Sequence, residues 1–189
     1  MSTLQTTFIQ KLGAGTDAFE IPANDGTSGQ YLQTNGSGGL SWVTPAAGGK
    51  ILQVVQSTLD DAQESTTSST FVDTSLTASI TPSSTNSKVL IITNSIYVNS
   101  SSDVNGKLGL KRGSTVLNNG RALAVYYFQA SSNVDPWNTG SMMYLDSPAT
   151  TSSTTYTVVF KCSGGTFIHG HGSGTDGHTQ TITLMEVAG

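Results

Sequence analysis

Between Phe71 and Ile80 the chain alternates with a period of two. Val72, Leu76, Ala78 and Ile80 fall on one side, and Asp73, Ser75, Thr77 and Ser79 on the other. Successive side chains of a strand point to opposite faces, so this pattern predicts a strand with one face on a core and one in water. "KVLIITNSIYVN" (88–99) is the most apolar run and is expected to be a central strand. Further strand-like runs follow at regular spacing: "KILQVVQS" (50–57), "KLGLKRG" (107–113), "RALAVYYFQA" (121–130), "GSMMYLDS" (140–147), "TTYTVVFKC" (154–162), "TFIHG" (166–170) and "TITLMEV" (181–187). Turn signals separate them. Gly113-Ser114 leading into "TVLNNG" (115–120) reads as a tight hairpin. "TLDDAQES" (58–65) is too short and too rich in Ser/Thr for a helix, and is expected to be a loop. Nine or ten short strands predict an all-β, antiparallel, jelly-roll-like sandwich over residues 51–189.

Residues 1–50 have a different texture. Two short apolar groups, Phe8-Ile9 and Phe19-Glu20-Ile21, are broken up by Gly, Asn and Asp. "GTSGQYLQTNGSGGLSWVTP" (26–45) places Tyr31-Leu32 and Leu40-Ser41-Trp42-Val43 on either side of Asn35-Gly36-Ser37-Gly38-Gly39, a hairpin with a freely reversing tip. A two-stranded hairpin is marginal in water, so Tyr31 and Trp42 need something to bury against. "TPAAGGK" (44–50) reads as a linker between this extended region and the sandwich.

Ser and Thr supply more than a quarter of the chain, and charged residues only 11%. A surface of hydroxyls and glycine suits β-structure, where Thr fits the pleat. The formal net charge is -4, and the eight Lys and Arg form no basic stripe, which argues against nucleic acid as a ligand. The single cysteine, Cys162, forms no intrachain disulfide and is expected to pack as a small hydrophobe. No apolar run approaches the roughly 20 residues of a membrane span, and Met1 to Gln5 carry no basic-then-apolar leader. Synthesis in a cytoplasm, without membrane insertion, is the expectation.

"DGTSGQYLQTNGSGGLSWV" (25–43) resembles a motif recurrent in the fibre and appendage proteins of tailed bacteriophages, especially those of marine and cyanobacterial hosts. "KILQVVQ", "TSSTFVDTSLTASITPSSTNSKVLI" and the closing "TITLMEVA" resemble a β-sandwich module of the same proteins, so the likeness spans most of residues 25–187. The resemblance implies a virion structural protein, a homotrimer. Residues 1–50 would anchor it to another virion protein of the tail, baseplate or capsid. Residues 51–189 would form a knob that binds a host-surface glycan. In a three-fold assembly Tyr31, Leu32, Leu40 and Trp42 of three chains would bury one another. A capsid decoration, cement or head-fibre protein with a purely structural role is the alternative.

No enzyme constellation or cofactor motif stands out. Asp60, Asp61 and Glu64 could pair as hydrolytic carboxylates, but they lie in a Ser/Thr-rich stretch without aromatic neighbours and read as a solvated loop. Gly36-Ser37-Gly38 lacks the following helix of a dinucleotide site. "FIHGHGSGTDGH" (167–178) holds all three histidines, His169, His171 and His178. His169 and His171 would point the same way on a strand, and three copies of the pair could supply an octahedral metal. A glycine-rich loop with exposed, ligand-contacting histidines is the simpler reading of the same residues. Tyr126 and Phe128 share one face of their strand and Tyr127 takes the other. Trp137, in the polar stretch "SSNVDPWNTG" (131–140), is either a platform for a sugar ring or an edge cover of the sandwich. Trp137, Tyr127, His169, His171 and His178 are therefore the receptor-binding candidates.

Overall fold

The computed structural model describes residues 8–10, 18–20, 22–45, 50–99, 104–128, 138–170 and 178–189. Two compact units divide the chain, Met1–Ala47 and Gly48–Gly189. In the first, β1 (Phe8–Gln10) pairs with β2 (Ala18–Glu20), and β3 (Tyr31–Thr34) with β4 (Leu40–Val43), both antiparallel. The tip between β3 and β4 closes on Asn35. Its backbone N–H donates to Gly39 O at 3.0 Å, and its side-chain oxygen accepts from the N–H of Ser37 at 2.8 Å and of Gly39 at 3.0 Å. Gly36 and Gly38 take the positive φ values, 78° and 85°, that the reversal needs.

The second unit is almost entirely strand. It contains β5 (Ile51–Asp60), β6 (Glu64–Thr66), β7 (Val72–Ile80), β8 (Lys88–Asn99), β9 (Val104–Arg112), β10 (Thr115–Val116), β11 (Ala124–Phe128), β12 (Asn138–Asp146), β13 (Thr154–Ser163), β14 (Phe167–His169) and β15 (Thr179–Val187). The eight long strands make two four-stranded antiparallel sheets, β12–β8–β15–β5 and β11–β9–β13–β7. In chain order every step among these eight except β9 to β11 crosses from one sheet to the other, which is the jelly-roll winding. The short strands β6, β14 and β10 extend the two sheets. β8 is central: β12 pairs along one edge, while β15 and then β14 share the other. One expectation fails, because β5 runs on through Thr58 and Leu59 to Asp60, held by β15, and the reversal begins only at Asp61 with φ 50°.

The inward faces close one core. Leu76, Ile80, Leu108, Leu110, Tyr156, Val158 and Phe160 come from one sheet, and Val89, Ile91, Phe167, Ile182 and Leu184 from the other; each is at most 2% exposed. Cys162 packs there too, as a small buried side chain. Phe167 lies flat on Gly106 across the sandwich, where a Cβ would stand 2.4 Å from its ring. Polar ties join the sheets at their margins. Arg112 Nη1 donates to both carboxylate oxygens of Asp146 at 2.9 and 2.8 Å, and the Tyr156 hydroxyl donates to the same carboxylate at 2.7 Å. Burial first, and then the Asp146 charge, push the Tyr156 phenol well above its ordinary range.

Glu186 organises the reversal between β7 and β8. Its side chain accepts from Ser83 N–H at 2.7 Å, Ser83 Oγ at 2.6 Å and Gln53 Nε2 at 2.6 Å. Burial alone would raise its pKa, but donation from Ser83 and Gln53 outweighs burial and holds it at about 2. A carboxyl with a depressed folded pKa stabilises above its unfolded value and loses that contribution as pH falls through the folded one. Urea midpoints are therefore expected to drop between pH 4.5 and pH 2, and Glu186→Gln should flatten that drop. A parallel slope in the variant would assign the acid sensitivity elsewhere. Phe167→Ala, which empties the space over Gly106, is expected to cost about 3–5 kcal/mol in guanidinium unfolding.

Candidate functional site

The strand ends of the sandwich fall into two groups. β8 ends at Asn99, β9 begins at Val104, β11 ends at Phe128 and β12 begins at Asn138; the pairs Phe128 with Val104 and Asn138 with Tyr97 bring these ends together. β14 ends there as well, with His169 opposite Tyr97, and Gly170 N–H donates to Ile96 O at 2.8 Å. Lys50 lies at the opposite end, where its carbonyl accepts from Ala188 N–H at 2.8 Å. Trp137 and His171 fall outside the described residues, and of Tyr127 only the backbone, in β11, is described. His178, exposed, directly precedes β15.

His169 is not at the surface. It is 0% exposed, set between the sheets with Phe160 at a ring-centroid separation of 5.9 Å. The strand periodicity that suggested an outward pair instead turns this ring inward, because β14 is paired on both edges, by β6 and β8, and shows Phe167 and His169 to the core. That removes His169 from the receptor contacts and from a shared metal on a three-fold axis. Its Nε2 lies 3.2 Å from Ser95 Oγ, and its Nδ1 3.6 Å from Glu64 Oε2, longer than a hydrogen bond. The Glu64 carboxylate in turn accepts from Ser75 N–H at 2.9 and 3.0 Å and from Ser75 Oγ at 2.7 Å. His169 first, and then Ser75 working against the cost of burial, hold Glu64 below the ordinary carboxylate range. Glu64 is thus no member of a solvated acidic loop. The order hydroxyl, imidazole, carboxylate mimics a nucleophilic triad, but Ser95 is 1% exposed and its hydroxyl meets no solvent.

A column of rings continues from His169. Phe160 and Phe167 lie 6.3 Å apart, Phe167 and Tyr97 6.0 Å, and Tyr97 and Tyr126 3.6 Å. Tyr126 is accordingly the core-facing member of its strand. Gly170, at φ 85°, has no room for a side chain: a Cβ would stand 1.9 Å from Ala62 O. The buried column fills this end of the sandwich with packed rings.

The outer face of β12–β8–β15–β5 is apolar along one full row and over half of the next. Leu145, Leu90, Met185 and Val54 stand in register across all four strands. Beside them run Met143, Ile92, Thr183 and Gln56. Met143 is 69% exposed, Val54 56% and Leu145 49%. Leu52 and Ile51 are exposed at the start of β5. The next row, Ser141, Asn94, Thr181 and Thr58, is polar. Sequence reasoning missed this face, although a signal existed: "ILQVVQ", "KVLII" and "SMMYL" are apolar at consecutive positions, so each supplies both faces.

In the first unit, cross-strand register puts Leu32 opposite Trp42 and Thr34 opposite Leu40 on one face, whereas Tyr31 and Val43 share the other. The four residues Tyr31, Leu32, Leu40 and Trp42 therefore do not form one apolar surface. Trp42 also finds a partner in its own unit. Its indole lies against Gly26, where a Cβ would stand 2.6 Å from the ring, and its Nε1–H donates to Asn24 O at 2.8 Å. Tyr31 and Leu32 stay exposed, at 47% and 42%.

No protein-family model matches the chain, and no curated protein matches it. Among solved structures it is similar to the VP2 subviral particle of infectious bursal disease virus, with TM-score 0.38 and 11% identity, over 95% of this chain and 46% of that one. It is likewise similar to T=1 particles derived from that virus, with TM-score 0.41 and 13% identity, over 94% of this chain and 44% of that one. The chain spans less than half the length of these viral-particle chains. With TM-scores under 0.5 the likeness is loose, and the architecture rests on the strand order itself.

His169→Ala is expected to lower stability by about 2–4 kcal/mol, by opening a cavity beside Phe160 and stranding the Ser95 hydroxyl. An unchanged melting temperature would return His169 to the surface.

Proposed function

We propose that the chain is a structural protein of a virus particle, assembled as a homotrimer, whose knob takes part in adhesion to a host surface. The observation that carries the assembly reading is the exposed apolar patch on the outer face of β12–β8–β15–β5, formed by Leu145, Leu90, Met185 and Val54 with Met143 and Ile92 beside them. Contiguous exposed apolar surface of this kind marks an interaction site. The patch holds no charged side chain, so the matching surface is one equally neutral and apolar, and in a trimer each copy would turn this face toward the shared three-fold axis, where all three meet. The jelly-roll winding, an architecture used by viral capsid and lectin domains, and the resemblance of residues 25–187 to phage appendage proteins support placing it in a virion.

The geometry suits a division of labour. The apolar patch belongs to the half of the sandwich near Lys50, whereas the strand ends at Phe128, Asn138 and His169 lie at the other end. Assembly near the first end would leave the second free to meet a receptor, with Trp137, Tyr127, His171 and His178 as contacts. Residues 1–50 would anchor the trimer to a tail, baseplate or capsid protein, with Tyr31 and Leu32 available for burial there. Adhesion would be multivalent: weak contacts at each knob, multiplied by the effective concentration of linked copies.

Light scattering on the purified chain is expected to give three times the chain mass. Replacing Val54 and Leu145 together by Asp should weaken association by at least about 100-fold, since burial of each apolar side chain contributes about 1.5–3 kcal/mol. A monomeric parent at micromolar concentration would overturn the assembly. Antibody labelling of intact particles should mark the tail; labelling of the head would assign the chain to capsid decoration. Trp137→Ala should reduce adsorption to host cells while shifting the melting temperature by no more than about 1–2 °C.

A further inference from the structure

Three of the eight Lys and Arg side chains of this sparsely charged protein converge on one cavity. It is a shallow, open recess of about 350 Å³ on the outer face of the other sheet, lined by Lys107, Gly120, Arg121, Ala122, Val125 and Lys161. Strand register builds it. Val125 pairs with Lys107, and Lys107 with Lys161, so the two lysines stand directly opposite one another on β9 and β13. Like charges placed so are destabilising unless something neutralises them. Two other cations of this sheet already have carboxylates: Lys111 bonds Asp73, and Arg112 bonds Asp146. Lys107, Arg121 and Lys161 pair with no carboxylate among the described residues. Lys161 stacks over the Phe71 ring at 4.3 Å, which directs its ammonium without neutralising it.

The segment that presents Arg121 is fixed in advance. Asn118 and Asn119 both take φ 55°, Gly120 takes φ 73°, and the turn is held by Arg121 N–H to Asn118 O at 3.0 Å and Leu123 N–H to Leu108 O at 2.9 Å. Leu117 anchors it in the core. Ala122 and Val125, the latter 56% exposed, supply an apolar wall beside the cations.

We propose that this cavity binds a saccharide carrying a sulfate or phosphate ester. The tetrahedral oxyanion would relieve the repulsion between Lys107 and Lys161 and accept hydrogen bonds from Arg121, while the C–H face of the ring lies on Val125 and Ala122. Three cations in one recess within a net-acidic chain suit a single anionic group and not a nucleic-acid backbone, which needs a stripe. The inference deepens the adhesive part of the function proposed above and is independent of the assembly.

The test is amide chemical-shift titration of the full chain at constant ionic strength with galactose 6-sulfate, galactose and inorganic sulfate. Saturable shifts at Gly120, Arg121, Ala122 and Val125 with galactose 6-sulfate, at roughly millimolar affinity, and none with galactose, are expected. Lys107→Gln and Arg121→Ala should each weaken binding about tenfold without lowering the melting temperature of the free chain, which Lys107→Gln should raise slightly, and Lys111→Gln should not weaken binding. Equal shifts with galactose, or binding insensitive to both variants, would overturn the site. Inorganic sulfate binding as tightly as the sulfated sugar would overturn the saccharide and leave a site for free anions. None of these outcomes alters the trimer mass or the labelling of particles, so a failure here is separable from a failure of the assembly.

Discussion

Closure of the two sheets over Phe160 and Phe167 is the contact on which the rest of the second unit depends. Phe167 comes from a three-residue strand, too short to be stable by its ladder alone. It is held because its ring fills the space over Gly106 and joins a column that runs from His169 to Tyr126. With β14 pinned in this way, β8 keeps a partner along its whole length, and the half of the sandwich away from Lys50 stays two layers thick. Close packing gives this column the character of a fixed base.

The polar residues inside the sandwich follow from the same closure. A strand shut in on both edges and one face leaves no route to water for His169 or Ser95, so each takes a polar neighbour within the fold. Glu186 and Asp146 do the equivalent work at the margins, where one secures the β7–β8 reversal and the other ties the sheets through Arg112. Such groups resemble catalytic clusters in composition. Their hydrogen bonds run to groups of the fold itself, which gives them a structural role.

The two outer faces are chemically unlike, and this asymmetry suits a particle component. The face of β12–β8–β15–β5 carries an uncharged apolar patch on one full row and half of the next, whereas the face of β11–β9–β13–β7 gathers lysine, arginine and hydroxyl side chains. A surface of the first kind is stable when another protein covers it, and one of the second kind when it meets water or a soluble anion. The proposed functions divide along the same line, assembly on one sheet and recognition on the other and at the loop end.

The sequence alone determined the class of fold. Period-two alternation in 71–80, the apolar run at 88–99 and the turn residues between runs required antiparallel strands, a central β8 and the Gly113-Ser114 hairpin, because these signals are local. Side-chain direction at β14 and the hairpin register were not local. Whether His169 points in or out depends on which face of β14 packs on the opposing sheet, and Tyr31 parts from Trp42 through a cross-strand register that spacing does not state. The continuation of β5 to Asp60 was likewise decided by β15, which is more than a hundred residues away. Lys107, Arg121 and Lys161 are scattered in the chain. Only the tertiary pairing of β9 with β13 and the fixed turn at Asn118–Gly120 bring three isolated cations to one cavity, because a jelly roll makes neighbours of strands that are distant in sequence.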